Sequence, residues 1–361
     1  MQSPEHLGLD HLQPLRRALS NVLSAPVAEF TFAQIIDGQP TRRVYANDHF
    51  FRDGLPVMDH EDLCPGSVER TRAFRSDFDI LDLKFEPNII QAYQDTLPGT
   101  IAWKLRLLEL VVTACHDIAV YLYQMDNGVH KHAEHQAWRA KKLDTLSEDD
   151  LMERRKLPPP TLFWTSAYRD WSSYPNGLAD MAGYWAEVQL FGGVVLFDRG
   201  ESEKECNGVY IHNRRYTTIA PPTEAQFKNI IAFLLSESPD YDHCPLPIEI
   251  TPDNKWRWDP YDARTTYHIF KSRHDIPNSP RPRRKDVITA NNWPEIIDHS
   301  KISGEDFEER PSDEAEKVRA RERIAMTISP NSRLWETFKK DIMRLQPDEK
   351  RQGRPPYFFD S

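Results

Sequence analysis

The run DNGVHKHAEH (126 to 135) places three histidines and a glutamate within six positions. Imidazole nitrogen is a common zinc ligand, and a zinc site needs at least three protein donors. On a helix, His132 and His135 share a face and His130 stacks over Glu134. On an extended segment, His130, His132 and Glu134 point one way. Either arrangement starts a metal site with His130, His132 and His135 as candidate ligands. His116, Asp117, Asp126 and His212 could contribute, but their spacing is not diagnostic. The competing reading takes Asn127-Gly128 as the end of a long helix and the histidines as its solvated exit. The run therefore reads first as a helix-exit loop and second as a metal site.

As written, H-x-H-x-E-H resembles the H-x-H-x-D-H of metallo-β-lactamase-like hydrolases. The resemblance implies a metal-dependent hydrolase, with Glu134 standing where that family has aspartate and with a helix, not a strand, in front. A second local resemblance lies in IIDGQPTRRVY, which is similar to the first hairpin of FMN-binding split-barrel oxidases. It implies that Arg42 or Arg43 holds phosphate, and it covers about 16 residues of the chain. The alternative is a structural hairpin with exposed arginines.

Other stretches offer less. Phe163, Trp164, Tyr168, Trp171 and Tyr174 open an aromatic belt that runs on to 197. Trp164, Tyr168, Tyr184, Trp185 and Phe191 are the candidates to line an apolar ligand pocket; the alternative is an aromatic core packed on the helix at 100–126. Arg214 and Arg215 precede a helix N-terminus, which attracts anions, but no glycine-rich phosphate loop accompanies them. The run KSRHDIPNSPRPRRK (271 to 285) suits an acidic partner or a nuclear address, or is a solvated loop. Glu187 and Asp198 read as carboxylates on the wet face of a sheet. No nucleophile elbow is present, and no cofactor is expected; zinc is the one ion the histidine run could hold.

The 361 residues suffice for one large domain or two ordinary ones. Charged residues make up 28% and the net charge is −10, which argues against broad nucleic-acid binding. The four cysteines are scattered without a C-x-x-C pair, as free thiols of a reducing compartment would be. No apolar run has the length of a signal peptide or a membrane span. The expectation is a soluble cytoplasmic or nuclear protein without membrane contact.

What must position these residues is mostly helical. TIAWKLRLLELVVTACHDIAVYLYQMD (100 to 126) repeats apolar residues in steps of four and three, from Ile101 to Leu122. Only a narrow stripe through Arg106, Glu109, Thr113 and His116 is polar, so this helix should sit centrally in the core. Residues 11 to 24 predict an amphipathic helix. FTFAQIIDGQPTRRVY predicts a hairpin turning at Asp37-Gly38, and residues 46 to 98 resist ordering. A charged helix and loop follow at 136 to 156. Strands at 184–191, VVLF (194 to 197) and VYIH (209 to 212) predict a small antiparallel sheet, with Gly192-Gly193 as a turn. Thr223 and Gln226 form a capping box for a helix through Leu235 with Phe227, Ile230, Ile231 and Leu234 inward. Asp259 and Pro260 start another helix. The segment 276 to 300 reads as loop, 312–327 and 332–345 as helices, and the last sixteen residues as a tail.

The phrases PGTIAWKLRLLELVVTACHDIAVYLYQMD, PPPTLFWTSAYRDWSSYPNGLADMAGYWAEVQLFGGVVLFDRGES, VYIH and WDPYDARTTYHIFKSRHD resemble an uncharacterised family of filamentous-fungal proteins. The resemblance spans most of residues 97 to 275. It implies a fungal intracellular protein of the kind carried beside secondary-metabolite genes, and it brings no known fold, ligand or catalytic residue. The expected fold is α+β and mostly helical, with a small antiparallel sheet packed on the central helix. Three segments are expected: an N-terminal helix and hairpin region (1–98), the main core (99–300) and charged C-terminal helices with a tail (301–361). The function expected is that of a non-catalytic accessory or interaction protein with an unidentified protein partner. The alternatives are a protein or enzyme that binds an apolar small molecule in the aromatic belt, and a metal-dependent hydrolase built on His130–His135.

Overall fold

The computed structural model describes the chain except residues 46–54, 148–149, 151–153, 155–156, 214–217, 252, 255–256, 277–292, 294, 304–313, 329–331, 333 and 346–361. The described residues form thirteen helices and one four-stranded antiparallel sheet, an α+β fold that is mostly helical. Two compact units are distinguished. One is Met1–Val194 with Asn229–Pro247; the other is Val195–Lys228 with Ile248–Ser361.

The first unit is helical: α1 (Leu9–Ser24), α2 (Pro26–Asp37), α3 (Arg42–Tyr45), α4 (Ser67–Asp77), α5 (Pro87–Gln94), α6 (Ile101–Met125), α7 (His132–Asp144) and α8 (Leu178–Phe191). At its centre is α6, as its apolar periodicity predicts. Leu105, Leu108, Val112, Cys115, Ala119 and Leu122 are buried, and so are Leu107, Leu110, Val111, Ala114 and Ile118 on the flank. It packs most extensively on α8 and also meets α1, α2 and α5. Thr100 starts α6, its hydroxyl accepting from the Trp103 amide at 3.3 Å. Thr100→Ala should therefore cost about 1 kcal/mol, read as a lower urea midpoint at unchanged slope. Asn21 of α1 caps the far end of the segment 229–235, its amide donating to the carbonyls of Phe233, Leu234 and Ser236.

The polar stripe on α6 does not face water. Glu109 is fully buried and takes a hydrogen bond from Arg106 at 2.8 Å. His116 lies between two carboxylates of α8, 2.7 Å from Glu187 and 3.3 Å from Asp180. Gly183 lets α8 come this close, because a Cβ there would stand 2.5 Å from the His116 ring. Glu187, expected on a wet sheet face, is wholly buried.

Two expected strand regions are helices. Residues 30–45 form no hairpin: Asp37-Gly38 ends α2, with Gly38 in the left-handed region (φ 92°) and its N–H on the carbonyls of Gln34 and Ile35. A left-handed Asp-Gly serves a helix C-terminus as well as a hairpin turn. Pro26 opens the helix, and burial of Phe32, Ala33, Ile35 and Ile36 overrides their strand preference. The flavin resemblance loses its hairpin, and Arg42 pairs with Glu61 instead. Likewise residues 184–191 belong to α8. Nearly every side chain from Ala179 to Phe191 is buried, so its pattern has no polar side to betray the helical period. Gly192 then ends the helix at φ 81° instead of turning a hairpin.

The second unit carries the sheet, in the order β3-β2-β1-β4, of β1 (Gly193–Asp198), β2 (Val209–Asn213), β3 (Ile219–Ala220) and β4 (Ile269–Phe270). VVLF and VYIH are thus neighbouring strands as expected, and β4 and β3 flank them on the outer sides. The Thr223–Gln226 capping box forms at the head of α9 (Glu224–Leu235). Asp259 caps α10 (Pro260–Thr265) through the amides of Tyr261 and Asp262. Three helices follow: α11 (Glu295–Ser303), where a loop was expected, α12 (Glu314–Thr327) and α13 (Trp335–Leu345). Ile324, Ala325, Ile328, Phe338 and Ile342 form their common core. Arg214, Arg215, most of the basic run at 271–285 and the tail lie outside the described residues.

Candidate metal centre

Four donor groups from distant parts of the chain meet at the C-terminal end of α2. They are the Asp37 carboxylate, His60, Cys64 and His130, whose ligand atoms all lie within 4.8 Å of one another. A tetrahedral zinc ion with ordinary bond lengths spaces its N, O and S donors roughly 3.3–3.6 Å apart. Two of the observed separations match this. His60 Nε2 is 3.2 Å from Asp37 Oδ2, and Cys64 Sγ is 3.4 Å from His130 Nε2.

Local structure sets each donor. Asp37 is the last residue of α2, and its Oδ2 accepts from the Cys64 amide at 2.9 Å. The turn after it is fixed by Gln34, whose side-chain oxygen takes the Thr41 amide at 2.9 Å. His60 is held through its backbone, its carbonyl accepting from the Arg42 amide at 2.7 Å. Its Nδ1 lies 3.0 Å from the Pro40 carbonyl, which can only accept. That bond places the ring proton on Nδ1 and leaves the Nε2 lone pair toward the cluster, the usual second contact of a metal-binding histidine. Cys64 stands on the turn before α4.

His130 arrives on the link between α6 and α7. Asp126 turns the chain out of α6 at φ 41°, and the His130 amide then donates to the Asp37 carbonyl at 2.9 Å. Arg70 of α4 holds the same link through the Asn127 carbonyl at 2.9 Å. Two glycines make the approach feasible. A Cβ on Gly128 would stand 2.5 Å from the Asp37 carbonyl carbon, and one on Gly38 2.8 Å from that of His130.

The electrostatics call for a cation. Asp37 is fully buried and His60 is 8% exposed. Neither Asp37 Oδ1 nor His60 Nε2 makes a hydrogen bond. An unsatisfied buried polar atom costs about 1–3 kcal/mol, and here two lone-pair-bearing groups face each other. Burial, and after it the charge of Asp37, pushes the Cys64 thiol above its ordinary range. That environment opposes a free thiolate nucleophile and suits a thiolate stabilised by a metal. The rings of His60 and His130 meet edge to face at 4.8 Å, so both imidazoles border the same space. Cys64 and His130 are half-buried, which leaves that side open for ion entry.

Of the histidine run, only His130 joins. His132 stacks on Tyr123 at 3.7 Å and lies 2.9 Å from its carbonyl oxygen. His135 lies 3.0 Å from the Pro159 carbonyl and stacks on Trp138. Burial lowers the pKa of both rings, which favours neutral imidazole. The exit loop begins α7 at His132, so His132 and His135 turn with the helix away from where His130 points. His116 belongs to the α8 network described above. His212 pairs with Arg264 in the second unit, where burial and then that guanidinium push its pKa down to about 3.

The aromatic candidates are core side chains. Tyr184 stacks on Tyr168 at 4.6 Å, and Trp185 meets Phe163 edge to face at 4.9 Å. Trp164 and Phe191 are also buried. Asp37, His60 and Cys64 are the residues that sequence reasoning missed. The one local signal was His60-x-x-x-Cys64, in a stretch without periodicity.

Fold and site together define a mostly helical α+β protein with a Cys-His-His-Asp centre. No family model matches the chain, no curated protein matches it and no solved structure matches it.

Proposed function

We propose that the chain is a zinc protein whose ion is structural, and that it acts as a non-catalytic accessory or interaction protein. The observation that carries this is the convergence of four protein donors, two of which carry buried atoms, Asp37 Oδ1 and His60 Nε2, that make no hydrogen bond. One carboxylate, one thiolate and two imidazoles form a mixed set suited to zinc. Four protein ligands close a tetrahedral site, whereas a hydrolase keeps a position for water. The ion joins three segments: the end of α2, the turn before α4 and the link into α7.

The test is elemental analysis of the purified protein, with about one equivalent of zinc expected per chain. Cys64→Ser and His60→Ala should lose it, while His132→Ala and His135→Ala should keep it. Metal-free wild type, or loss of zinc from the His132 and His135 variants, would overturn the assignment. Hydrolytic turnover that depends on the bound ion would move the protein to the hydrolase reading.

A further inference from the structure

Residues of α4, of the segment 82–84 and of α6 line an open groove of about 820 Å³. That volume is in the range of small-molecule sites. Its floor is aromatic. Phe74 stacks on Tyr121 with centroids 6.2 Å apart, and Phe78 tilts against Phe74 at 5.7 Å. Tyr121 is 54% exposed although Val120 and Leu122 beside it are buried, so the central core helix offers one ring to solvent here.

The rim is acidic. Asp77 and Asp82 are exposed and Asp117, one turn before Tyr121 on α6, is half-buried; Lys84 is the only basic side chain among the described lining residues. A neutral apolar ligand would shield the exposed Asp77 and Asp82 carboxylates from water without replacing the hydration they lose. An anion would be repelled. A cation with an apolar body satisfies both parts, its charge over the ring faces and beside the carboxylates, its body on Phe74 and Phe78.

We infer that this groove binds a small organic cation, an alkyl- or arylalkylammonium compound, by its stacked rings and the exposed aspartates Asp77 and Asp82. None of its residues is a donor of the metal centre, so the inference does not rest on the zinc assignment.

Calorimetric titration of the full chain tests it, with phenethyltrimethylammonium, 2-phenylethanol and 3-phenylpropanoate as probes that share a body and differ in charge. The cation should bind about tenfold or more tightly than the neutral probe, and the anion weakest. Tyr121→Leu should weaken the cation about tenfold, and the Asp77→Asn, Asp82→Asn double variant should weaken it too. All three positions are exposed, so the thermal midpoint should not move and misfolding is separable from lost binding. No binding of the cation, equal binding of the three probes, or undiminished binding by Tyr121→Leu would overturn the inference. Repeating the titration after chelation separates the outcome from that of the metal centre.

Discussion

Chelation of the bound ion should lower the unfolding midpoint of the first unit by about 10 °C. The estimate follows from linkage. An ion that binds only the folded chain stabilises it by about 4 kcal/mol when free ion exceeds the dissociation constant a thousandfold. For a domain of 150–250 residues each kcal/mol moves the midpoint by about 2–4 °C. The direction follows from the structure. Without a cation, Asp37 Oδ1 and His60 Nε2 remain buried without hydrogen bonds, and the three segments are left with hydrogen bonds such as those from the His130 amide to the Asp37 carbonyl and from the Cys64 amide to Asp37 Oδ2. Differential scanning calorimetry before and after dialysis against a chelator reads the shift, and re-addition of zinc should restore the midpoint. Cys64→Ser should start at the low midpoint and ignore both treatments. A wild-type midpoint indifferent to chelation, in protein shown to have held zinc, would rule out a structural role for the ion.

The parts of this fold that were legible in the sequence are those in which pattern and packing agree. The apolar faces of α6 follow the helical period for seven turns, and its exit is marked by Asn127-Gly128. The capping box at Thr223 and the N-cap at Asp259 are local chemistry and form as written. α8 was illegible for the opposite reason: a helix buried all round has no polar face to display its period. The polar stripe of α6 was visible, but not its direction. Only α8 supplies the carboxylates that keep His116 inside. Such buried ionic contacts add little net stability over apolar packing; they fix which face of α8 meets α6.

The metal centre was legible in one residue of four. Asp37 read as a turn residue and Cys64 as one scattered thiol. His130 was noticed because it has two histidine neighbours, yet those neighbours serve the core around α7. Cys64 and His130 are 66 positions apart and meet where both of their segments bond to Asp37 at the end of α2. Local spacing cannot reveal a site assembled this way. The backbone leaves one further trace, in the glycines.

Gly128→Ala should abolish zinc binding although no ligand is changed. Its Cβ would overlap the backbone carbonyls of Ile36 and Asp37, and backbone cannot rotate aside as a side chain can. The link must lift from the end of α2, which breaks the bond from the His130 amide to Asp37 and withdraws the His130 ring. The overlap and the lost contacts together should cost about 3 kcal/mol. Zinc affinity should fall at least about a hundredfold, the upper range for disturbing even an outer-shell support. Gly66→Ala is the matched control. Gly66 has φ 88° and lies two residues from Cys64, but nothing stands within 4 Å of its would-be Cβ. It should pay only the left-handed backbone cost of about 1–2 kcal/mol and keep the ion. The contrast isolates close backbone approach from glycine flexibility, because Gly128, unlike Gly66, does not occupy the left-handed region. Competition titration with a chromogenic chelator measures both variants. Wild-type zinc affinity in Gly128→Ala would mean that His130 reaches the ion without the α2 contact, or that it is no ligand at all.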